Sequence, residues 1–173
     1  MIKALILSIF VVFASARIGH LINNNSSSLT QFLTGFNDEL KITSPKDMDK
    51  CADVPLIHDI MKALNDLKLI PPKFIHLVQD GIHIYHDVKT MEKSCPDVAK
   101  VYEDYFQNFT DHAFKNPQKT FAHVVSNVGH NAKSFSKHVV TAEIDLQKGN
   151  DYSAGKEVAD ATAIALKDYI RGL

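Results

Sequence analysis

The amino-acid sequence predicts an all-α protein, a compact bundle of five to six helices that follows a cleaved signal peptide and carries one disulfide. Three observations lead there. Beyond residue 27, apolar residues recur three and four apart through almost the whole chain, the spacing that lines one side of a helix. No run of strict alternation is long enough to make a strand. The periodic stretches are punctuated by Thr43-Ser44-Pro45, Pro71-Pro72, Asn116-Pro117 and Gly149-Asn150, all of which interrupt helices.

The first sixteen residues have the three parts of a secretory signal: Lys3, the apolar run ALILSIFVVF and the small-residue ending Ala14-Ser15-Ala16. The run is too short to span about 30 Å of hydrocarbon, and the ending favours cleavage after Ala16 over a retained anchor or a buried helix. Residues 17–27, closing in the NNNSSS tract, read as a flexible linker, and residues 28–173 as a single helical domain. No later window approaches transmembrane length. The expected location is therefore outside the cell or in the lumen of a secretory vesicle or vacuole.

Each helix has its own signature. The first, about Ser28 to Leu40, places Leu29, Phe32, Leu33, Phe36 and Leu40 on one stripe. The second follows Asp53, with Pro55 in its first turn and Leu56, Ile57, Ile60, Met61, Leu64 and Leu67 inward. The third, about Pro72 to Lys93, has a broad apolar face of Phe74, Leu77, Val78, Ile82, Ile84, Tyr85 and Val88, while His76, His83 and His86 fall on the far side with Asp80 and Asp87. The fourth, about Pro96 to Lys115, turns Val98, Val101, Tyr102, Tyr105, Phe106 and Phe109 inward, and its rings supply much of the core.

The fifth helix opens at Pro117 and carries Phe121, Val124, Val125, Val128, Ala132, Phe135 and Val139 on one face, with His123 and His130 opposite. Continuing that phase would bring Glu143 into the apolar face, so a kink or break is expected near Thr141, with a short segment reaching Lys148. Gly149-Asn150 is a helix stop and Asp151 the next cap. The last helix, about Asp151 to Ile170, sets Gly155, Ala159 and Ala163 in a row that lets another helix approach closely.

Two cysteines follow the leader, Cys51 and Cys95. In an oxidising lumen the pair is most simply one disulfide, and a reactive cysteine working with a histidine would need a reduced thiol in the wrong compartment. The sequons at Asn24, Asn25 and Asn108 offer glycan acceptors, of which Asn24 and Asn25 are better placed because their tract reads as exposed. With 19 Lys and Arg against 20 Asp and Glu, well mixed along the chain, there is no basic tract for nucleic acid, heparin or an anionic membrane surface.

Taken together, the leader, Phe32-Leu33-Thr34-Gly35-Phe36, Cys51 before the second helix, Cys95 before the fourth and the DYSAGKEVADA stretch at 151–161 resemble a group of small secreted all-helical ciliate proteins. In that group a Phe-x-x-Gly-Phe opening, two spaced cysteines and a late Tyr-x-x-Gly-Lys helix recur. The resemblance implies architecture and carries no activity, cofactor or catalytic residue. Further cysteines near the last helix, frequent in that group, are absent here, which leaves Cys51–Cys95 as the only possible bridge.

Chemistry has little to stand on. Five histidines (His76, His83, His86, His123 and His130) would make a zinc site only if the polar sides of the third and fifth helices met, and bundle helices bury their apolar faces instead. No H-E-x-x-H pair, G-x-S-x-G elbow, P-loop or G-x-G-x-x-G is present, and His58-Asp59 and His86-Asp87 lack the calcium loop that secreted phospholipases place beside such a pair. No catalytic, metal or cofactor residue is assigned. The expected function is a non-enzymatic interaction or structural component of secreted material, through protein partners or self-assembly, with a carrier of a lipid or other hydrophobic small molecule as the alternative and a helical signalling ligand as a third class.

Overall fold

A computed structural model describes residues 26–44, 48, 56–68, 83, 86, 87, 89, 90 and 92–170. Six helices are delimited among them: α1 Ser26–Leu40, α2 Leu56–Lys68, α3 Pro96–Lys115, α4 Pro117–His130, α5 Ala132–Gln147 and α6 Asp151–Leu166. The described residues from 83 to 94 are helical as well, which makes a seventh helical stretch against the five to six expected. No strand occurs among the described residues, so the all-α class holds. The leader, residues 17–25 of the linker with Asn24 and Asn25, Cys51, His76 and most of the expected third helix lie outside them, while Ser26 and Ser27, expected in the linker, already belong to α1.

The expected fifth helix divides, and it does so earlier than the sequence suggested. Asn131 leaves the helical region at φ −118° and ψ 24° and shares its backbone N–H between the carbonyls of Asn127 and Val128. Its side-chain Nδ2 also donates to the Asn127 carbonyl at 2.9 Å. Near Thr141, by contrast, α5 continues without a break, and Thr141 Oγ1 donates back to the Lys137 carbonyl at 2.9 Å. The acid that seemed to forbid this has a partner, because the buried amide of Asn65 on α2 donates from Nδ2 to Glu143 Oε1. A polar group in a packed face is tolerated when another element satisfies it.

The architecture is set by α6, which packs most extensively on α1 and next on α5, with α4 as a further neighbour. Its contact with α1 is a reciprocal glycine seam. A Cβ built on Gly35 would lie 1.9 Å from the Tyr152 carbonyl oxygen, and one on Gly155 would lie 2.0 Å from that of Phe32. Each glycine thus sits on the backbone of the residue three before the other, so Phe32-x-x-Gly35 and Tyr152-x-x-Gly155 are two halves of one close crossing. Ala154, Val158, Ala159, Ala161 and Ala165 are fully buried along the same helix.

Around that crossing the core is aromatic. Phe32, Phe106, Phe109 and Phe135 are among the largest fully enclosed side chains, joined by Met61, Val98 and Leu166. Tyr169 and Ile170, which lie beyond α6 in a closing turn, are buried as well, with the Tyr169 ring edge-on to Phe109 at 5.4 Å. Two helices end alike. In α1 the Ile42 N–H bonds the Asn37 carbonyl at 2.8 Å around Lys41 at φ 56°, and after α5 the Asn150 N–H bonds the Asp145 carbonyl at 2.8 Å around Gly149 at φ 74°. Both are Schellman closures with a left-handed residue, the second at the stop expected from Gly149-Asn150.

Candidate functional site

Among the described residues, the ligand-bearing groups that meet most closely lie where α5 packs on α6. On α5, Phe135, Val139, Ala142 and Leu146 form the buried stripe, and His138 stands beside Val139 at its edge. On α6, Glu157 and Asp160 lie one turn apart, at one border of the face buried by Val158, Ala159 and Ala161. The packing of α5 on α6 brings them together. His138 Nδ1 lies 2.7 Å from Glu157 Oε2 and 3.5 Å from Asp160 Oδ2. Their side chains keep 20%, 27% and 40% exposure, so the cluster sits at the rim of the helix seam, neither sealed nor fully wet.

The neighbouring seam with α1 is polar too. Lys156 Nζ pairs with Glu39 Oε2 at 3.0 Å, and Tyr152 Oη donates to Asp38 Oδ2 at 2.8 Å. These contacts shift the titration of the groups involved. Desolvation at the seam raises the Asp160 carboxyl, assisted by the charges of Glu39 and Glu157 and opposed by His138 and Lys156. The bond to Glu39 raises Lys156, and the bond to Asp38 raises the Tyr152 phenol. Chemically, the rim holds an imidazole nitrogen against two carboxylates, an arrangement that can store a proton or ligate a cation.

The histidines singled out in the sequence are arranged differently. His83, His86, His123 and His130 are exposed. His83 Nδ1 approaches Asp59 Oδ2 only to 4.0 Å, His130 Nδ1 bonds the Ser126 carbonyl of its own helix at 2.8 Å, and His123 Nδ1 lies 3.3 Å from Tyr169 Oη. Among the described residues, the one group of three ligand-bearing side chains with atoms within 4.8 Å of one another is His138, Glu157 and Asp160. Sequence reasoning passed over all three. The available signal was an acid pair three apart on the helix with the small-residue row, together with a histidine at the border of an apolar stripe.

Cys95 is buried at the N-terminal boundary of α3, while Cys51 lies outside the described residues. Asn108 is half-buried on α3, and the same Nδ2 that would carry a glycan donates to the Tyr169 carbonyl at 2.9 Å. No described helix is long and apolar enough to cross a membrane. Set against known proteins, the chain matches no family model, no curated protein and no solved structure.

Proposed function

We propose that the protein is a secreted or vesicle-lumen helical component that works without catalysis, by presenting its surface to protein partners or to copies of itself. The supporting observation is on α5. Val140 and Ile144, one turn apart, are 43% and 42% exposed, whereas the other side of the same helix is sealed by Phe135, Val139 and Ala142. The step is small, and it is the apolar part of this helix that a partner would cover. The reading includes removal of residues 1–16, a Cys51–Cys95 bridge, and glycans on Asn24 and Asn25 in preference to Asn108, whose amide is already engaged by Tyr169.

Native mass spectrometry of the protein from its producing cell tests this reading. Oligomers, or a stoichiometric protein partner, that dissociate in a Val140→Asp, Ile144→Asp variant with an unchanged melting temperature are expected. A monomer with no partner would overturn it, and a co-purifying lipid or pigment would favour the carrier instead.

A further inference from the structure

We propose that His138, Glu157 and Asp160 form a site for one divalent transition-metal ion, with zinc as the reference, through His138 Nδ1 and one oxygen from each carboxylate. The donor set fits the ion. Imidazole with carboxylates suits zinc and its first-row neighbours, and three protein ligands leave one tetrahedral position for water. Bonds of about 2.0 to 2.2 Å set ligand atoms about 3.3 Å apart around such an ion. The separation between His138 and Asp160, 3.5 Å, already matches, and that between His138 and Glu157, 2.7 Å, needs only a small swing of a partly exposed glutamate.

The frame that holds the donors is rigid. Val139 and Ala142 on α5 and Val158 and Ala161 on α6 are fully buried between the helices, so the two carriers cannot slide without opening the core. The charge also favours a dication. Around Asp160 stand the carboxylates of Glu157 and Glu39, with the Lys156 ammonium already engaged by Glu39. The carboxylates outnumber the ammonium at this rim, and the ion would insert between His138 Nδ1 and Glu157 Oε2, which face each other at 2.7 Å. This inference stands apart from the assembly reading, since it is measured on a monomer or an oligomer alike.

The test is titration of the purified chain, stripped by chelator, with zinc by calorimetry and with cobalt by visible absorption. One equivalent is expected to bind, to produce the ligand-field bands of a tetrahedral cobalt site, and to raise the melting temperature. His138→Ala, Glu157→Gln and Asp160→Asn should each weaken binding by about tenfold or more, since loss of even an outer partner of a metal site costs that much. His123→Ala and His130→Ala should leave it unchanged. If His138→Ala folds poorly, the near-isosteric Glu157→Gln and Asp160→Asn decide. Absence of saturable binding would show an ordinary ion pair, binding that survives all three substitutions would place the ion elsewhere, and either would overturn the proposal.

Discussion

Asn37 is the most enclosed polar side chain among the described residues, at 0% exposure, and its satisfaction depends on distant elements. Its Oδ1 accepts from Tyr102 Oη at 2.7 Å, while Nδ2 faces Ser44 Oγ at 3.4 Å and Met48 Sδ at 3.6 Å. Removing one partner of such a pair strands the other in the core. Tyr102→Phe should therefore cost about 1 to 2 kcal/mol at neutral pH, read by denaturant unfolding. The same phenol gives the protein an alkaline weakness. Burial raises the Tyr102 phenol well above its ordinary range, so the folded state holds the proton after the unfolded chain has lost it. Tyr105 and Tyr169 are raised by burial in the same sense. Stability should stay level up to about pH 10, where free tyrosine ionises, and fall above it. Unfolding curves between neutral pH and pH 11 should show a shallower decline for Tyr102→Phe than for the parent chain.

At the scale of the helix, the α1–α6 crossing makes the sharpest demand on composition. Alanine at Gly35 or Gly155 would drive a methyl into a backbone carbonyl, which cannot move aside as a side-chain tip can. Each substitution should lower stability by about 3 kcal/mol, the upper end for overpacking, with a matching drop in melting temperature. Gly129 makes a contrast, since nothing lies within 4 Å of a Cβ there and its helix position is exposed. Gly129→Ala should instead stabilise by about 0.5 to 1 kcal/mol. Lys41 holds the left-handed turn after α1 without being glycine, and Lys41→Gly should gain about 0.5 kcal/mol in the same melts. What was legible here was local. The stripe Leu29, Phe32, Leu33, Phe36 and Leu40, the small row of Gly155 and Ala159, and the stop at Gly149 all depend on neighbours in sequence. The break at Asn131 was hidden because the apolar stripe runs on through Val128 and Phe135. The continuity at Thr141 was hidden because the amide that accommodates Glu143 comes from α2, 78 residues away in sequence.

Across the whole molecule, the same limit explains the candidate site. Which polar faces meet is decided by the order in which helices pack, and nothing near His138 in sequence says that Glu157 and Asp160 will stand opposite. The histidines that looked suggestive were those at regular spacing on one helix face, which is where water is met. Bundle class, by contrast, follows from periodicity alone. A further test belongs to this scale. If Cys51 and Cys95 are joined, the bridge ties the start of α3 to the segment before α2, and Cys95→Ser should cost up to about 4 kcal/mol in the chain-entropy account. Equal melting with and without reductant would argue against the bridge. The glycine seam has one more effect, on the order of events. Tyr152 and Asp38 meet across 114 residues, so α1 is synthesised long before the helix that covers it. Closure of that seam has to wait until α6 has been synthesised, and a nascent chain stalled before Asp151 would hold the Phe32 surface uncovered for chaperones to find.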